Sequence, residues 1–101
     1  MKRIEYSIEK NQDVIKRHGV SFEEIIKAVK KGKVLANIEH PNQKKYPGQM
    51  LLVVEITNYA YGVPYVEDEI KQFFKTLFPS RKLTRKYLQK GKRSTHEKET
   101  L

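Results

Sequence analysis

Three histidines, a run of cations interleaved with aromatic rings, and no cysteine are what this chain offers to chemistry. Residues 71–93, KQFFKTLFPSRKLTRKYLQKGKR, hold nine Lys and Arg and no Asp or Glu. The chain has 21 basic and 12 acidic residues, so this one stretch equals its net charge of +9. Such a block is the electrostatic footprint of a protein that handles a polyanion, RNA foremost. Phe73, Phe74, Phe78 and Tyr87 sit among the cations, as a surface that grips phosphates and stacks bases requires. The competing reading is a solvated helix face followed by a basic tail.

The five glycines are scattered and form neither GxGxxG nor a Walker loop. His18, His40 and His96 lack metal-ligand spacing, so neither a metal nor another cofactor is expected. A basic and aromatic set with histidines is the equipment of metal-free RNA cleavage. That reaction deprotonates a 2′-hydroxyl, stabilises charge on a pentavalent phosphate and protonates the leaving 5′-oxygen. The catalytic candidates are His18, Lys75, Arg81 and Arg85. The RNA-binding candidates are Ser80, Lys82, Lys86, Tyr87, Lys90, Lys92 and Arg93. Each has a plainer alternative: Lys75 can snorkel from an apolar face, Tyr87 can be a packed ring, and His18 can simply favour a helix C-terminus. Arg81, Lys82, Arg85 and Lys86 fill the first two turns of a terminal helix, where cations oppose the macrodipole. A polyanion would offset that, using Ser80 and the open amides as well.

The elements that must position these groups follow from periodicity. Ile4, Tyr6 and Ile8 alternate with polar residues as in a short strand. A helix then runs to His18 and stops at Gly19. Ser21 and Glu24 form a capping box, and Phe22, Ile25, Ile26 and Val29 make one apolar stripe ending before Gly32. Strands are expected at 34–38, at Met50–Ile56 (buried on both faces), at 59–66, and from Ile70 to Phe78. A turn at Tyr46–Gln49 suits Gly48, and Pro64 marks an unpaired or bulged position. In the last strand Lys71, Phe73, Lys75 and Leu77 should share one face. Pro79 stops it, Ser80 caps a helix from Arg81 to about Lys90, and residues 92–101 read as a flexible basic and polar tail. The expectation is an α+β fold, β-α-α-β-β-β-β-α, with an antiparallel sheet and two N-terminal helices on one face. A single domain spans 1–91. The longest apolar run, Met50–Val54, is too short to span a bilayer, and the N-terminus is charged rather than apolar. A soluble, cytoplasmic protein with no membrane partner is expected.

Several segments are similar to a known family. RHGVSFEEII (17–26) resembles the KHGVSFEEA segment of BrnT-type toxins from bacterial type II toxin–antitoxin pairs. IEHPNQKKYPGQMLLVVEI (38–56), GVPYV (62–66) and FKTLFPSRKLTRKYL (74–88) look like a related branch of small toxin-like proteins. The resemblance covers roughly residues 4–88. It implies a RelE/BrnT-like ribonuclease fold, RNA cleavage with translation arrest, mRNA on or off the ribosome as target, and neutralisation by a small ribbon-helix-helix antitoxin. His18 matches the histidine of the HGVSF motif. Lys75, Ser80, Arg81, Lys82 and Arg85 correspond to the basic segment ending the sheet. The 39–49 loop is longer than in typical BrnT and the VPYV strand differs. A non-catalytic RNA- or ribosome-binding module, or an interaction subunit with an acidic partner, remains compatible with the same charge.

Overall fold

Ser7 separates the first strand from the first helix. In the computed structural model, which describes residues 2–89, β1 (Arg3–Tyr6) ends where the Ser7 hydroxyl accepts the Lys10 amide and caps α1 (Ile8–His18). Gly19, at φ 73°, closes that helix with a left-handed turn that a side chain would strain. The capping box of α2 (Phe22–Lys30) forms as the sequence requires: the Ser21 hydroxyl accepts the Glu24 amide, and the Glu24 carboxylate accepts the Ser21 amide.

β2 (Val34–Glu39), β3 (Met50–Ile56), β4 (Tyr59–Glu67) and β5 (Lys71–Phe74) follow as an antiparallel meander. Thr57 and Asn58, both at positive φ, make the tight turn between β3 and β4. Asp68 makes the next turn, its carboxylate accepting the Ile70 and Lys71 amides. The sheet order is β1-β5-β4-β3-β2, and the two-residue β6 (Phe78–Pro79) also pairs with β4.

Three expectations need correction. The sheet is mixed rather than antiparallel, because β1 pairs parallel with β5. A parallel pair needs a long crossover, which the two helices and the meander between them provide. In that position Tyr6 stacks on Phe22 at 5.0 Å and seals the core edge. Second, the expected strand from Ile70 to Phe78 is broken. Phe74 lies opposite Tyr65 but Phe78 lies opposite Gly62, so the strand carries one extra residue between them. This bulge faces Pro64, which has no N–H to offer the ladder there; the bulge expected at Pro64 thus sits in its partner strand. The extra residue inverts the alternation. Leu77 joins Phe74 in one core, and Phe78 turns to the other face. Third, the terminal helix is α-helical only over α3 (Arg81–Thr84) and continues as a π-helix over Arg85–Gln89. The expected helix end near Lys90 and the tail from residue 92 lie outside the described residues.

The sheet buries a core on each face. On one, Val14 of α1 and Phe22, Ile25 and Ala28 of α2 pack on Leu52, Val54, Val63, Tyr65 and Phe74. The pairing of both N-terminal helices with one face is as expected. The other core is smaller, with Leu51, Val53 and Ala60 covered by Phe78, Leu83, Tyr87 and Leu88. Ala60 ties the terminal helix to it: its buried amide donates to the Thr84 hydroxyl at 2.8 Å, and its carbonyl accepts the Ser80 amide at 3.0 Å. Gly62 makes the close packing possible, since a Cβ there would meet the Phe78 ring at 2.7 Å. Among the described residues no helix is long and apolar enough to cross a membrane.

Candidate functional site

Lys75 stands at the bulge. Its amide donates to the Pro64 carbonyl at 2.8 Å, its side chain is exposed, and its Nζ lies 5.9 Å from the centroid of the Phe73 ring. Because Leu51 pairs with Pro64, and Val66 with Phe73, strand alternation puts Pro64 and Phe73 on the face that also carries the terminal helix. That helix covers only part of the face. Beside it opens a pocket of about 830 Å³, in which Phe73, Lys75, Thr76 and Phe78 meet Glu9, Lys10 and Asp13 of α1 and His40 and Tyr46 of the β2–β3 loop. Phe78 is the shared wall: it lines the pocket and packs under the helix.

The loop is wired from within. The Gln43 amide nitrogen donates to the carbonyls of His40 (3.0 Å) and Gln49 (2.9 Å), and its oxygen accepts the Gly48 amide at 3.1 Å. Gly48 takes φ 79° in the expected turn, with the Gln49 amide on the Tyr46 carbonyl. The Asn42 amide donates to Nδ1 of His40 at 3.1 Å, so the neutral imidazole carries its proton on Nε2 as a donor. Tyr46 packs against that imidazole, ring centroids 4.6 Å apart.

The two carboxylates on the α1 wall differ. Asp13 is bound by the Arg17 guanidinium at 2.7 and 3.3 Å, and this hydrogen bonding holds its carboxyl below the ordinary value. It is a weakened base. Glu9 is exposed, and among the described residues it has no ion-pair partner.

The sequence-derived candidates divide into groups. Arg81, Lys82, Arg85 and Lys86 are exposed on the terminal helix. Among the described residues, neither they nor Lys75 form an ion pair; the pairs gather on α1 and at the β1–β5 edge, as in Lys2–Glu67 at 3.0 Å and Lys71–Glu5 at 3.6 Å. Ser80 caps α3, its hydroxyl accepting the Leu83 amide at 3.0 Å, and Tyr87 is half-buried against the smaller core with Lys86 Nζ 5.4 Å from its ring. His18 closes α1, roughly 12 Å along the axis from Lys10 at 1.5 Å per residue, and does not line the pocket. Lys90, Lys92 and Arg93 lie outside the described residues. Lys75 alone of the four catalytic candidates lines the pocket, while Arg81 and Arg85 stand on the terminal helix outside its lining.

Sequence reasoning passed over His40, Tyr46 and Glu9. The signal was present in HPNQKKYPGQ, a turn-rich loop that holds a histidine, a tyrosine and two lysines between strands. Loops placed by a rigid sheet carry chemistry disproportionately often. Among the described residues no group of three His, Asp or Glu side chains could hold a metal ion. Comparison of the chain with protein-family models, curated proteins and solved structures gives no match.

Proposed function

We propose that this protein is a small endoribonuclease that works without a metal, grips RNA on the face carrying Lys75 and the terminal helix, and acts as the toxin of a type II toxin–antitoxin pair. The observation that carries the reading is a block of cations unbroken by any Asp or Glu between Lys75 and Lys86. Every cation from Lys75 to Lys86 is exposed and without an acidic partner among the described residues, on the face that holds the one large pocket described. Folding rarely favours such an unbalanced surface, and a bound polyanion balances it. The likeness of 17–26 to BrnT-type toxins, and of 74–88 to a related branch of toxin-like proteins, supports the toxin role, and an acidic face on a small antitoxin would neutralise the same cations.

In this reading the 2′-oxygen attacks phosphorus while Glu9 takes its proton. Lys75 stabilises the added charge on the pentavalent phosphate. The bond to the 5′-oxygen breaks as His40 Nε2–H donates a hydrogen bond to it and solvent supplies its proton, leaving a 2′,3′-cyclic phosphate and a 5′-hydroxyl. Arg81 and Arg85 hold flanking phosphates.

The test is incubation of the purified chain with single-stranded RNA in the presence of a chelator. Cleavage leaving cyclic phosphate ends is expected, with His40→Ala and Lys75→Ala each slower by ~100-fold or more. RNA bound tightly but never cut would replace this account with the binding-module alternative. Absence of growth arrest on expression in bacteria would remove the toxin role.

A further inference from the structure

Resting on the RNA reading above, we infer that Phe73 is a base-stacking platform, with Lys75 as the phosphate clamp beside it, and that this pair makes the site select unpaired nucleotides. Phe73 lies in register between Val66 of β4 and Glu5 of β1, on the face of the terminal helix but outside the core that helix covers. It is half-buried, and its ring forms a wall between two hollows: the large pocket with Lys75 and His40, and a smaller one of about 160 Å³ beside Glu67, Asp68 and Lys71. An aromatic ring approached from two sides is unusual for a residue that serves only the core. Neither core contains it, whereas Phe74 next to it is buried in the larger one.

The bulge supplies the second half of the device. By adding one residue after Phe74 it sends Leu77 inward and leaves Lys75 exposed, its Nζ over the Phe73 ring at 5.9 Å. Base stacking uses a π-face and phosphate binding uses a cation, and the backbone of a nucleotide spans the short distance between the two. The pocket's volume falls within the range of sites that enclose small ligands, ~300–1,000 Å³, which suits a nucleotide turned out of its stack. A duplex keeps its base faces covered and offers only phosphates. A platform of this kind therefore discriminates by strandedness, while the cations of the terminal helix do not.

The experiment measures binding of the full chain to an eight-nucleotide RNA, single-stranded or annealed to its complement, across a salt series. The parent is expected to favour the single strand by ~10-fold, in line with the strength of one base–aromatic stack. Phe73→Leu keeps apolar bulk without a π-face and is expected to lose that preference with its salt slope unchanged. Phe73→Trp is expected to restore it, and thermal melting of both variants checks that each is folded. Equal affinity of the parent for both forms, or a Phe73→Leu chain that keeps the preference, overturns the inference and leaves the RNA reading standing. Binding of neither form overturns both.

Discussion

The two faces of the sheet are built to different rules. The face under α1 and α2 holds the larger core: Phe22, Ile25, Val54 and Val63 have no exposed surface, and a pocket at its margin, beside Tyr65 and Phe74, is about 400 Å³. The opposite face has a core of three buried residues under a short, partly π-helical cover, a larger pocket where its margin meets α1 and the 40–49 loop, and a row of cations that have no acidic partner among the described residues. The larger core lies on the first face, and the proposed chemistry is placed on the second. π-Helical turns are rare and often occur at functional sites, which fits their place here.

The larger core is most sensitive at Phe22, which is stacked on Tyr6 and fully buried. Phe22→Ala is expected to destabilise the chain by ~3–5 kcal/mol, a large part of the ~5–15 kcal/mol typical of a domain, as read from a denaturant midpoint. A loss under 1 kcal/mol would mean that the larger core is not the main source of stability. On the other face, Thr84→Val keeps the shape but removes the acceptor for the buried Ala60 amide, and should destabilise by ~1–3 kcal/mol. Gly62→Ala should act on both stability and the pocket, because the displaced Phe78 ring serves both; overpacking of this kind is worth ~1–3 kcal/mol. Cleavage unaffected in a folded Gly62→Ala chain would separate Phe78 from the site.

Acid sharpens the contrast with a smaller effect. Asp13, Glu67 and Asp68 have folded values below their ordinary ones, through hydrogen bonds from Arg17, from Lys2 and Gln72, and from the Lys71 and Ile70 amides respectively. Depressed carboxyls contribute stability that is fully present above the unfolded values, near 3.8 for Asp and 4.5 for Glu, and lost as pH falls through the lower folded ones. Melting should thus stay level on this account above pH 5 and decline below it. A midpoint that rises as pH falls from 5 to 3 would show that these bonds do not hold in solution.

Local signals in the sequence located much of this. Ser21, Ser80, Gly19 and Gly48 act through contacts within a few residues, so those caps and turns were legible; the Ser7 cap was not, and Ile8, expected in the first strand, opens α1. The buried β3 was equally plain from Met50–Val54. What escaped was set at long range. The parallel pairing of β1 with β5 joins residues far apart in the chain, and no periodicity within either strand encodes direction. The bulge depends on Pro64 of a neighbouring strand, and one inserted residue was enough to exchange the faces of Leu77 and Phe78. The pocket joins α1, the 40–49 loop and the bulge, so His40 and Glu9 had no sequence neighbour to announce them, while the cations of the terminal helix announced themselves as a block.

The central claim is that the cationic face binds RNA through its phosphates. The most direct measurement is the slope of log K against log salt for a single-stranded RNA, in the parent and in Arg81→Ala/Arg85→Ala. Each phosphate contact contributes about −0.7 to the slope for single strands. The account predicts a steep parent slope that becomes shallower by ~1.4 in the variant, with melting unchanged or slightly raised because two cations leave a helix start. A flat parent slope, or a variant with the parent's slope, would contradict it.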